Sequence, residues 1–133
     1  MGKRIFYIII MATLLIFILN PSCKEEADVS EIIFPDSGVS YIKHVEPLFF
    51  NTCAFTGCHG EEPYDEYGLR LDSYQHAIAK TGIIIPGDPE NSILIQRVEG
   101  SLSLMRMPPD RSPLNQNQIN GLKTWIREGA RLN

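Results

Sequence analysis

From Ser40 onward, apolar residues recur at helical spacing in four separate stretches. Tyr41, Val45, Leu48 and Phe49 mark an amphipathic helix over Ser40 to Asn51, with Ser40 as its N-cap. Pro47 either starts the last part of that helix or kinks it. Asp72-Ser73 reads as the start of a short helix over Ser73 to Lys80. Glu90 to Val98 predicts a third helix with Ile93, Leu94 and Val98 inward and Gly100 as its stop. Asn117 to Glu128 predicts the last, with Ile119, Leu122, Trp125 and Ile126 on one face and Gly129 ending it. Only Ile83 to Ile85 carries any hint of a strand. The pattern predicts a small all-α domain over residues 40–133.

The N-terminal pattern is different. Ile5 to Leu19 is almost wholly apolar and follows the basic pair Lys3-Arg4, the layout of a secretory signal. The run is 15 residues long, short of the roughly 20 that a spanning helix needs. Leu19-Asn20-Pro21-Ser22-Cys23 follows it and resembles a bacterial lipoprotein processing site, although Leu19 stands one place earlier than the usual aliphatic position. This resemblance implies a signal peptide over 1–22 and a lipidated Cys23 as first mature residue. Residues 23–39, with Pro35 and Gly38, read as a tether to a membrane. Acyl chains contribute about 0.8 kcal/mol per buried methylene, and two or more anchor stably. Lys24-Glu25-Glu26 resembles a lipoprotein export signal of Bacteroidetes-type bacteria; it reads equally as a solvated leader. The expected location is the bacterial cell envelope, lipid-anchored and facing the periplasm or the cell surface.

Charge narrows the function classes. With 12 Lys and Arg against 16 Asp and Glu, the net charge of -4 argues against nucleic-acid binding. No pattern of nucleophile and base or paired acids suggests an enzyme.

Two cysteines remain, Cys53 and Cys58, both expected in an oxidising compartment. A disulfide between them closes a very small loop and constrains the unfolded chain little. A structural zinc ion wants four ligands, whereas Cys53, Cys58 and His59 supply three. Cys53-Ala54-Phe55-Thr56-Gly57-Cys58-His59-Gly60 is also close to the C-x-x-C-H signal for covalent haem, with a spacer of four residues in place of two. Haem attachment needs two thiols at the vinyl edge of the porphyrin and a histidine under the iron. The adjacency of Cys58 and His59 meets the second need, and Gly57 lets a longer spacer turn outward.

Segments around this signal carry a family resemblance. Val45-Glu46-Pro47-Leu48-Phe49 leads into it, and Gly68-Leu69-Arg70-Leu71-Asp72 follows. Next come Pro86-Gly87-Asp88-Pro89-Glu90-Asn91-Ser92-Ile93-Leu94, then Met107-Pro108-Pro109, and last Trp125-Ile126-Arg127-Glu128-Gly129-Ala130. From Tyr41 to Asn133 the chain resembles the c-type cytochrome domain of the planctomycete and Bacteroidetes type. The resemblance implies helices wrapped around one haem c. Its first and last helices would cross, with Phe49 against Trp125 as the candidate contact. Cys53 and Cys58 would bind the haem covalently, and His59 and Met107 would ligate the iron. Pro108-Pro109 stiffen the backbone after Met107; Met105 is the rival sulfur. His44 and His76 are the other candidate ligands, His76 through bis-histidine ligation, and each reads more readily as a surface residue. Arg70 is a candidate partner for a haem propionate, and Ile83 to Ile85 a candidate wall of the site. A carbonyl near Pro86 is a candidate for orienting His59.

The implied function is one-electron transfer to and from redox partner proteins. Two alternatives stand beside it. One is a haem-based sensor or gas-binding module; the other is a haem-free interaction lipoprotein with a Cys53–Cys58 disulfide.

Overall fold

The structure is a computed structural model that describes residues 32–61, 68–101, 105–109 and 111–133. The expected signal peptide and the lipid-bearing Cys23 lie outside the described residues. Among the described residues there is no strand, and the domain is all-α as the pattern predicts. Ile83 to Ile85 does not pair as a strand: Ile83 and Ile84 are buried in a chain of turns.

The first helix is built in two parts. Ser40 caps it through its hydroxyl, which accepts from the Lys43 N–H at 3.3 Å. A π-helical turn, Tyr41–Val45, then runs directly into α1, Glu46–Thr52. The Val45 N–H reaches back to Ser40 and the Glu46 N–H to Tyr41, both five residues away. Pro47 follows and has no N–H to continue that ladder, so the wider turn ends where the proline begins the regular helix. Of the two roles open to Pro47, the structure has the first: it stands in the first turn of α1 and starts the last part of the helix.

Three further helices follow: α2, Tyr74–Ala79; α3, Ile93–Glu99; and α4, Gln116–Arg127. Local chemistry fixes their ends. The Ser73 hydroxyl caps α2 by accepting from the His76 N–H. Gly100 closes α3 in the left-handed conformation at φ 71°, which a glycine adopts without a Cβ clash. Asn115 and Gln118 form a reciprocal capping box at the start of α4. Ahead of α3, Ser92 is fully buried and ties the preceding turn together. Its hydroxyl accepts from the Ile85 N–H at 2.9 Å and donates to the Asp88 carbonyl at 2.8 Å.

Trp125 is the centre of the core. Its ring meets Phe49 edge-on at 6.5 Å between centroids, the contact expected between the first and last helices, and Tyr41 at 5.7 Å. Val45, Leu48, Leu122 and Ile126 are fully buried with it. Lys123 pairs with Glu99 at 2.6 Å and joins α4 to α3.

The tether expected over 23–39 does not reach residue 39. Residues 32–39 pack onto α4 as an ordered strap. Phe34 is buried against Gly121, where an added Cβ would collide with the ring. The Gly38 and Val39 N–H groups donate to the Glu128 carboxylate at 2.7 and 3.0 Å. Pro35 and Gly38 suggested linker chemistry, but Phe34 and Val39 bury enough apolar surface to hold the segment down.

Candidate functional site

The segment that carries the site begins at the end of α1. The Cys53 and Ala54 N–H groups both return to the Phe49 carbonyl at 2.8 Å, which places Cys53 at the foot of the helix. Beyond it the chain makes a closed loop. The Cys58 and Gly60 N–H groups donate to the Phe55 carbonyl at 3.0 and 3.1 Å, and the His59 N–H donates to the Cys53 carbonyl at 3.1 Å. Gly57 takes φ 80°, the outward turn that the four-residue spacer requires. Gly60 is a different case: it is buried, and a Cβ there would lie 2.5 Å from the Ala54 carbonyl oxygen.

His59 is held at two points by the segment after the loop. The Leu71 N–H donates to the His59 carbonyl at 2.7 Å, and the ring Nδ1 lies 3.1 Å from the Leu69 carbonyl oxygen. A carbonyl only accepts, so Nδ1 carries the proton and Nε2 is the nitrogen with a lone pair for a metal. The orienting carbonyl is thus that of Leu69 and not one near Pro86.

His59, Cys53 and Met107 all line one cleft of ≈ 320 Å³. Leu69, Leu71, Ile83, Ile93, Leu94 and Val98 make its apolar walls, and Lys80 and Arg97 bring two cations to it. Ile83 is the part of the Ile83 to Ile85 run that reaches the cleft. The Met107 segment is fastened to α3: the Met107 N–H donates to the Arg97 carbonyl at 3.0 Å. Met105 is 67% exposed.

The two cysteines differ in surroundings. Cys58 is exposed and stands outside the cleft lining, while the Cys53 side chain points inward. Burial pushes the Cys53 thiol up to about 11, against a weaker opposing effect of the Thr52 hydroxyl 3.1 Å away. Both are free thiols, with no disulfide between them. Among the described residues no three His, Cys, Asp or Glu side chains gather as a metal cluster.

The remaining candidates are engaged elsewhere. His44 Nδ1 accepts from the Ser40 N–H at 3.0 Å, and His76 Nδ1 lies 2.7 Å from Asp72. Arg70, the propionate candidate, pairs with Asp72 and does not line the cleft. Arg97 and Lys80 take the cleft positions instead. Arg97 shares a helical face with Leu94 and Val98, so its place was open to a periodicity argument. Nothing local marked Lys80 or the Leu69 carbonyl.

This donor set suits haem. A neutral imidazole and a thioether are axial ligands of cytochrome iron. An apolar cleft with two cations suits a flat apolar macrocycle bearing two carboxylates.

The described residues thus form a small all-α domain with a histidine, a methionine and a cysteine gathered on one cleft. Residues 56–111 match the family model described as Planctomycete cytochrome C, which is consistent with a cytochrome c domain of the planctomycete type. The match takes in Cys58, His59, Lys80, Arg97 and Met107 but begins three residues after Cys53. No curated protein and no solved structure matches the chain.

Proposed function

We propose that the domain holds one haem c and passes single electrons, with His59 and Met107 as axial ligands of the iron. The observation that carries this reading is that His59, Met107 and Cys53 share one apolar cleft, while Met105 points to solvent. A haem bound there supplies reversible exchange of one electron between its ferric and ferrous states. Cys53 and Cys58 hold the macrocycle by thioether bonds, Cys53 from inside the cleft and Cys58 from the loop beside His59. The Leu69 carbonyl keeps Nδ1 protonated and directs Nε2 to the metal. Leu69, Leu71, Ile83, Leu94 and Val98 keep water from the macrocycle and so favour a compact, low-reorganisation site. The domain acts as a carrier or relay between redox proteins rather than as an enzyme. In this reading Cys23 bears the lipid that fixes it to the bacterial envelope.

The mass of the mature protein tests haem and lipid together: the expected value is the chain from Cys23 plus one haem and the acyl groups. A reduced spectrum without the sharp alpha band of a c-type haem overturns the reading. Met107→Leu is expected to lower the reduction potential and to open the ferrous iron to carbon monoxide, while Met105→Leu leaves both unchanged. Rapid carbon monoxide binding by the unaltered protein would favour the gas-binding alternative.

A further inference from the structure

The segment carrying Met107 is fastened from two sides. On one side Arg97 of α3 grips it twice. Its carbonyl accepts from the Met107 N–H at 3.0 Å, and its guanidinium donates to the Met105 carbonyl at 3.2 Å. These bonds bracket the turn that delivers the Met107 side chain to the cleft, and Arg97 itself lines that cleft. On the other side, Arg111 lies over the ring of Phe55 at 3.8 Å from its centroid. Phe55 is one of the four residues between Cys53 and Cys58. The loop that bears His59 therefore touches the segment that bears Met107 through a cation held on an aromatic face.

We infer that Arg97 and the Phe55–Arg111 pair are positioning elements that hold the Met107 sulfur on the haem iron. The inference rests on Met107 being the axial ligand. It gives the long spacer a purpose, because a two-residue spacer would have to supply this ring from fewer positions. The backbone bond from Met107 to Arg97 survives any side-chain change. The guanidinium bond to Met105 is the part that substitution removes, and it is a charge-assisted bond of the stronger kind.

The test uses the haem-loaded protein and three variants, Arg97→Gln, Arg97→Lys and Phe55→Leu. Three signals report the thioether–iron bond: the weak long-wavelength absorption of the ferric form, the reduction potential, and the rate of carbon monoxide binding to the ferrous form. Arg97→Gln should raise the fraction with Met107 off the iron by about tenfold, the weight of one hydrogen bond to a charged group. Carbon monoxide should then bind correspondingly faster, the long-wavelength band should fade, and the potential should drop. Arg97→Lys keeps a donor and should recover part of the loss. Phe55→Leu keeps bulk but not the aromatic face and should give a smaller change in the same direction. An unaltered protein that lacks the thioether band overturns the ligand assignment and this inference together. A protein that has the band, with Arg97→Gln and Phe55→Leu both leaving all three signals unchanged, overturns the clamp alone.

Discussion

The side chain of Asn117 holds Phe34 by both of its backbone polar groups. Its Oδ1 accepts from the Phe34 N–H at 2.8 Å, and its Nδ2 donates to the Phe34 carbonyl at 3.0 Å. An asparagine that satisfies a donor and an acceptor at once imitates a paired strand, and here it seats the Phe34 ring over Gly121. Asn117→Ala should destabilise the domain by about 1–2 kcal/mol, since two partly buried backbone groups lose their partner. Thermal unfolding would show this as a fall of roughly 4–8 °C per kcal/mol for a domain of this size. Limited proteolysis should then cut first between residues 33 and 40.

Gly60 makes a second contact that no side chain tolerates. An added Cβ would lie 2.8 Å from the Ala54 carbonyl carbon and 2.9 Å from that of Phe55, so backbone rather than a flexible side chain would have to move. Gly60→Ala should cost about 1–3 kcal/mol as an overpacking change. Because the displaced backbone lies between Cys53 and His59, covalent haem per protein should fall several-fold. Haem staining normalised to protein would measure it.

Tyr41 is buried at the centre of the core, and its hydroxyl has no hydrogen-bond partner among the described residues. Burial, with smaller help from the charges of Glu46 and Asp72, pushes its phenol up to about 12. A phenol raised above its ordinary value near 10 stays neutral in the folded protein. Its contribution to stability is complete below pH ~10 and is lost as the pH rises toward 12. Tyr41→Phe removes the unsatisfied oxygen while keeping the ring against Trp125. It should leave stability unchanged or raise it by up to about 1 kcal/mol. It should also delete a step near pH 12 from a spectrophotometric tyrosine titration. A loss of more than about 1 kcal/mol would show that the hydroxyl is satisfied in solution.

Much of the fold was legible because its signals are local. Ser40, Gly100 and the apolar stripe from Ile119 to Ile126 mark helix ends and faces through contacts within a turn or two. The Phe49–Trp125 contact came from family resemblance rather than from any local cue, and the structure contains it. What escaped was chemistry between distant segments or from the backbone. The strap read as a tether because Pro35 and Gly38 are linker residues, and its hold on Asn117 and Glu128 spans more than eighty positions. The carbonyl that orients His59 belongs to Leu69, and a backbone oxygen has no signature in sequence. Arg70 was the plausible cation for the site, but Asp72 two residues on captures it. The spacing of Cys53 and Cys58 was the least orthodox part of the motif, and the family match begins beyond Cys53.

That spacing takes on a different meaning once the bond from the His59 N–H to the Cys53 carbonyl is considered. The bond ties the two ends of the loop to each other, so the residues between them form an arch on a fixed footing. The stance of His59 relative to α1 is then set by the footing, while the arch above it carries Phe55 toward Arg111. The carbonyl of Cys53 and the amide of His59 thus do work that the count of residues between the cysteines does not describe. In this chain the distance across the footing, rather than the count along the arch, is what places the histidine.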